Sequence, residues 1–157
     1  MGTDVRIDAE NTHQVFKWLW SSGQLSADDI RNLPSLGIDV VVNLAPPTSS
    51  NALAGEAELV AGLGLVYIQI PVDWEQPAPE QFVQFVGVLN TFQGRHVWVH
   101  CAKNMRVSAF IYLYRKLILV EDEDDACFPM RQIWTPNEIW QTYIKQVCER
   151  YSVPAGR

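Results

Sequence analysis

Six residues near the middle of the chain, Cys101-Ala102-Lys103-Asn104-Met105-Arg106, combine a nucleophile with a guanidinium. The apolar run Val97-Trp98-Val99-His100 precedes them, and Val107-Ser108-Ala109-Phe110-Ile111-Tyr112-Leu113-Tyr114-Arg115 follows. That pattern predicts a short buried strand, a tight loop opening with Cys101, and the start of an amphipathic helix. A loop at a helix N-terminus aims free backbone N–H groups at one spot, and the helix dipole makes that spot attractive to anions. A cysteine so placed favours the thiolate, the nucleophilic form. An arginine a few residues on offers a planar fork matched to phosphate or sulfate oxygens. Together these residues are equipment for a cysteine-nucleophile enzyme acting on an oxyanion. Cys127 and Cys148 sit in helical patterns and read as small buried hydrophobes.

The elements that must position this loop alternate between strand and helix. Trp20 to Leu25 reads as a short edge strand running into a turn. Ser26 caps a helix over about Ala27 to Leu36, with Asp28 and Asp29 in its first turn, and Gly37 ends it. Asp39 to Leu44 is a β-branched run, read as a central parallel strand that stops at Pro46 and Pro47. A helix is expected from about Ser50 to Leu63, then a strand from Val66 to Ile70. Pro79 opens a helix through about Phe92, with Phe82, Phe85, Val86 and Leu89 on one face. Three helices, near residues 107–119, 122–133 and 136–151, finish the chain. This alternation predicts a three-layer α/β/α sandwich around a central, mostly parallel sheet of four to five strands. Ligands in such sheets sit at the carboxyl ends of strands, where the loop at 101–106 and the loop after Ile70 can meet.

At 157 residues the chain reads as one domain, with its core over about residues 20–150. No apolar run approaches the roughly 20 residues that span a bilayer. Met1 to Val5 show no charged-then-apolar leader pattern. Three cysteines without scaffold-like spacing argue for reduced thiols and a cytoplasmic setting. A net charge of −6, with an acidic cluster at Glu121-Asp122-Glu123-Asp124-Asp125, argues against nucleic acid and anionic membrane as partners. His13, His96 and His100 are not at ligand spacing with the cysteines, so no metal is implied, and no cofactor is called for.

From about Trp20 to Trp140 the chain resembles the protein tyrosine phosphatase superfamily in its compact dual-specificity form. The resemblance rests on Ser22-Gly23-Gln24, Val42-Asn43-Leu44, Ile70-Pro71-Val72-Asp73, His100-Cys101 and Ile133-Trp134-Thr135-Pro136-Asn137. It implies a phosphatase-like fold and hydrolysis of phosphomonoesters through a phosphocysteine. Phosphotyrosine-like aryl phosphates are the implied substrate class, carried on a protein or a small molecule. The superfamily reads His-Cys, five residues, Arg, then Ser or Thr, but only four residues separate Cys101 from Arg106. A gapped register keeps the arginine and shortens the loop. An ungapped register, which we favour, keeps the loop length. It puts Asn104 where the superfamily has glycine, Val107 where it has arginine, and Ser108 where it has serine. Asn tolerates the left-handed backbone better than other non-glycine residues. Arg106 is then displaced by one residue, roughly 100° around the helix start. A second resemblance competes: Cys101-x-x-Asn104-x-Arg106 is similar to the Cys-x-x-Gly-x-Arg of rhodanese-type sulfurtransferases. A third reading is a phosphate- or sulfate-binding domain without turnover.

The phosphatase resemblance implies a role for each residue. Cys101 attacks phosphorus, Arg106 binds two equatorial oxygens, and the amides of residues 102–107 (Ala102, Lys103, Asn104, Met105, Arg106 and Val107) hold the oxyanion. Lys103 adds positive charge, and Ser108 donates to the thiolate or bonds the backbone one turn back. His100 orients the loop and Asn43 braces it. Asp73 is the expected general acid, with Glu75 and Glu80 as substitutes. Trp74 lines the pocket mouth or packs. Trp134, Asn137 and Trp140 form a patch read as core.

Overall fold

The computed structural model describes residues 6–152; Met1 to Val5, where a leader pattern was sought, lie outside the described residues. Five strands form one sheet: β1 (His13–Phe16), β2 (Leu19–Ser22), β3 (Val40–Asn43), β4 (Val66–Gln69) and β5 (Val97–His100). Their spatial order is β1-β2-β5-β3-β4, antiparallel only between β1 and β2. Every residue of β3 and of β5 is buried, as a strand covered on both faces requires. Side chains alternate across the pleat. Val40, Val42, Val97 and Val99 therefore join one core, and Val41 and Trp98 join the other.

Two helices cover the second face, α1 (Ala27–Asn32) and α2 (Glu56–Gly62). They bring Ile30, Leu33 and Val60 against Val41 and Trp98. The first face carries α3 (Pro79–Thr91), α4 (Met105–Leu113), α5 (Glu123–Ala126), α6 (Met130–Ile133) and α7 (Glu138–Ser152). All of Arg106 to Leu113 is buried, so α4 is the inner helix of that layer, fixed on every side. Phe110 is its keystone. It meets Phe82 and Phe85 edge-on and stacks on Tyr143 with ring centroids 5.8 Å apart. Among the described residues, no helix is long and apolar enough to cross a membrane.

The expected α/β/α layering and the mostly parallel sheet are present, with local corrections. The segment from Trp20 is interior, because a preceding strand, β1, pairs with β2 and takes the edge. The helix expected from Ser50 begins only at Glu56; Gly55, at φ 78°, ends a loop that occupies the intervening residues. The helix expected over 107–119 starts at Met105 and widens into a π-turn at Tyr114–Ile118. The segment 122–133 is two short helices, since Pro129 has no N–H to continue the first. Ser26 caps α1 as expected: its hydroxyl accepts the Asp29 amide, and the Asp29 carboxylate accepts the Ser26 amide. Asp29 Oδ1 also accepts the Asp8 amide at 2.8 Å, which ties the N-terminal segment to the sheet end. Replacing Phe110 with Ala should lower unfolding free energy by about 3–5 kcal/mol, read from urea titration.

Candidate active site

The parallel strands end together. Register pairs His100 with both Ser22 and Asn43, and Asn43 with Gln69, so the loops after β2, β3, β4 and β5 meet at one edge. Cys101 follows β5 immediately, and its amide donates to the Ser22 carbonyl at 3.3 Å. The next three carbonyls are then taken up by other segments. The Cys101 carbonyl faces His100 Nδ1 at 3.3 Å. The Ala102 carbonyl accepts the Gln24 amide at 3.1 Å and Asn51 Nδ2 at 3.1 Å. The Lys103 carbonyl accepts Asn11 Nδ2 at 3.0 Å. A trans peptide holds its C=O and the following N–H on opposite sides. Pinning these carbonyls therefore turns the amides of Ala102 and Lys103 the other way, toward the side of the unpaired first-turn amides of α4, while the Asn104 amide faces the Ser22 carbonyl in the bridge between Gly23 and Lys103. Backbone amides so turned are able to cradle an oxyanion.

Two features allow so tight a loop. Asn104 adopts φ 68°, the left-handed conformation expected where the superfamily has glycine. Its side-chain Nδ2 donates to the Asn11 carbonyl at 2.7 Å and to Ser21 Oγ at 3.0 Å. Asn11 is itself left-handed at φ 56°, so the two asparagines clasp each other. Gly23 lies under the loop, and a Cβ there would sit 2.8 Å from the Ala102 carbonyl oxygen.

Arg106 reaches the same cavity as Cys101. About 390 Å³ in volume, it is lined by these two residues with Ser50, Trp74, Ala102, Lys103 and Met105. The guanidinium is buried; its Nη1 donates to the Val72 carbonyl at 3.1 Å, and its Cζ lies 5.8 Å from the Trp74 ring centre. Among the described residues, no carboxylate pairs with Arg106 or with Lys103. Arginine does not shed its charge, and burying an unpaired cation costs several kcal/mol. One backbone carbonyl and a ring face offset part of that cost, so the site calls for an anion.

Several expected residues stand elsewhere. Val107 is fully buried in the apolar core, so only its backbone can serve the cradle. The Asn104 side chain points to the N-terminal strap instead of the cavity. Ser108 Oγ donates to the Met105 carbonyl at 2.8 Å and accepts Trp134 Nε1 at 3.0 Å, so it holds the helix start and its hydroxyl hydrogen is not offered to the thiol. Asn43 accepts the Ala45 amide and donates to the Tyr67 hydroxyl; it shapes the turn after β3 without touching the loop.

Asp73 is exposed and does not line the cavity. Its Oδ1 accepts the amides of Glu75 and Gln76, as a turn aspartate does. Glu75 lines a different groove, beside α7. Glu80 lies in the first turn of α3 and pairs with Arg150 at 3.2 Å. Trp74 does line the site. Its carbonyl accepts Trp140 Nε1 at 3.0 Å, and its ring packs on Trp134 and Trp140. Burial pushes the Cys127 and Cys148 thiols up, away from the thiolate form.

The residues that sequence reasoning missed are the clamps: Asn11, Gln24 and Asn51, and the buried Glu56 that holds His100 Nε2 at 2.5 Å. They are polar residues of loops and one helix start, and no spacing links them to Cys101.

The sheet order and the cysteine loop after β5 define a protein tyrosine phosphatase-like α/β fold. The chain belongs to the family described as DSP-PTPase phosphatase fused to NAD+ kinase, whose model matches residues 4–139. Among solved structures it is similar to the DUF442 phosphatase candidate of Shewanella putrefaciens CN-32. The two are 32% identical over 92% of this chain and 95% of that one, with a TM-score of 0.81. The fold is shared with PTPMT1 in complex with PI(5)P, at 13% identity over 90% of this chain and 96% of that one, TM-score 0.75. It is shared also with P. aeruginosa TpbA in complex with pTyr, at 13% identity over 98% and 100%, TM-score 0.68. No curated protein matches the chain.

Gly23→Ala should displace the loop and destabilise the protein by about 1–3 kcal/mol, read from chemical denaturation.

Proposed function

We propose that this chain is a cysteine-dependent phosphatase of phosphomonoesters, aryl phosphates foremost. The observation that carries the reading is the buried Arg106, paired with no carboxylate among the described residues, lining one cavity with Cys101. The Cys101 thiolate attacks phosphorus in line. The S–P bond forms as the bond to the leaving oxygen breaks. The amides of residues 102–107 and the Arg106 guanidinium hold the equatorial oxygens, where charge concentrates in the transition state.

Asp73 is assigned as the proton donor to the leaving oxygen. It adjoins Val72, whose carbonyl holds Arg106, and Trp74, which lines the cavity. Its Oδ1 caps the local turn, and Oδ2 is the oxygen assigned to carry the proton. Water then attacks the phosphocysteine, Asp73 takes the proton of that water, and the thiolate leaves with inorganic phosphate as product. Trp74 and Met105 give the cavity an apolar wall suited to a flat leaving group. The reading is supported by the ligands of two proteins that share the fold, one holding PI(5)P and the other pTyr. A nucleophilic thiol that must stay reduced suits a cytoplasmic setting.

Turnover of an aryl phosphate, measured beside thiosulfate with cyanide, tests the assignment. Cys101→Ser should abolish aryl phosphate turnover, and Arg106→Ala should lower kcat/KM by about 10²- to 10³-fold. Thiocyanate formation without phosphate release would make the chain a sulfurtransferase. A near-normal rate in Arg106→Ala would remove Arg106 from the machinery. Asp73→Asn should slow a poor leaving group by about 10²-fold or more and an activated phenol less.

A further inference from the structure

His100 and Glu56 form a buried pair that the steps above do not use. His100 is fully buried, and Glu56, in the first turn of α2, is 5% exposed. Imidazole Nε2 lies 2.5 Å from Glu56 Oε2, and Nδ1 lies 3.3 Å from the Cys101 carbonyl oxygen. With Glu56 ionised, both partners are acceptors. A neutral imidazole has one N–H and one lone pair, so it can donate to only one of them.

The surroundings present donors to the carboxylate. Gln24 Nε2 donates to Glu56 Oε1 at 2.7 Å. Tyr67, on β4, also faces Glu56, and burial pushes its hydroxyl up to about 12, so it remains a phenol. Its oxygen accepts Asn43 Nδ2 from β3 at 3.1 Å. The titratable groups set against the pair are thus Tyr67 and Cys101, while Gln24 and Asn43 are neutral. With an acceptor set against each ring nitrogen, the geometry asks for an N–H on both. His100 is the member of the pair next to Cys101 in the chain.

We propose that Glu56 is a positioning residue of this site: its carboxylate keeps His100 doubly protonated, and the imidazolium holds the Cys101 carbonyl and favours the Cys101 thiolate. The inference rests on the reading of Cys101 as nucleophile. It gives Glu56 two effects. Holding the Cys101 carbonyl turns the Ala102 amide toward the cradle. A fixed positive charge beside the cysteine extends its ionisation to lower pH.

Two measurements test it together. The first is nitrogen NMR of the His100 ring in the wild-type protein, from mildly acidic to mildly alkaline pH. Both ring nitrogens are expected to carry protons at neutral pH, and Glu56→Gln should yield a single neutral tautomer. The second is the pH profile of alkylation by iodoacetamide, mapped by peptide mass so that Cys101, Cys127 and Cys148 are counted separately. Glu56→Gln should raise the Cys101 midpoint by about one pH unit, making alkylation about tenfold slower below it, while Glu56→Asp stays nearer wild type. A neutral His100 ring in the wild type overturns the proposal, and that result does not depend on how any variant folds. An unmoved Cys101 midpoint in a folded Glu56→Gln protein overturns it as well. Wild-type Cys101 alkylating no faster than Cys127 and Cys148 overturns the nucleophile reading itself, and the ring spectrum tells the two failures apart.

Discussion

A planar trans peptide cannot present its carbonyl and its amide to the same side. The loop after β5 depends on that constraint. The carbonyls of Ala102 and Lys103 are held by side chains or an amide from elsewhere and that of Cys101 faces His100 Nδ1, so the intervening amides face the other way. The clamps come from separate parts of the chain: Asn11 before β1, Gln24 after β2, Asn51 after β3 and His100 on β5 itself. The parallel sheet matters because it ends those segments at one edge. Asp29, buried at the start of α1, holds the Asp8 amide, and Gly23 donates to the Glu10 carbonyl at 2.8 Å. The N-terminal strap that carries Asn11 is thereby fixed to the sheet.

The position of Arg106 follows from the same geometry. In the ungapped register favoured from the sequence, Val107 stands at the superfamily's arginine position, and with Asn104 left-handed and α4 starting at Met105 it turns into the core. Arg106 lies one step earlier and leaves the helix on another side. There the Val72 carbonyl and the Trp74 ring receive it. Trp74 is in turn held by Trp140 through its carbonyl, and Tyr143 holds the Ala78 carbonyl at 2.9 Å. The loop after β4 is thus fastened to α7, and α7 packs on α4 through Phe110. A displaced arginine can serve the cavity because a second loop is built to hold it.

The fold was largely legible in the sequence because burial on both sheet faces leaves a plain mark. Val40–Asn43 and Val97–His100 are unbroken buried runs, and Pro79, Gly37 and Gly94 punctuate as turn chemistry demands. The left-handed Asn104 was legible too, since few residue types accept that conformation. Helix ends were less so: the helix expected from Ser50 begins only at Glu56, and the residues before it fold as a loop that brings Asn51 to Ala102. The role expected of Ser108 went astray because a helix-start serine has its own backbone acceptor within reach. Glu56 carried no signal, because a glutamate in a first helical turn is ordinary and its burial depends on tertiary contacts with His100 and Gln24.

The most direct test of the central claim is acid quenching during turnover of an aryl phosphate, followed by peptide mass mapping. The displaced-arginine cradle predicts one phosphoryl group on the peptide carrying Cys101, formed in the first turnover and lost on hydrolysis. Steady phosphate release with no phosphoryl group on that peptide, or a persulfide in its place, would contradict it.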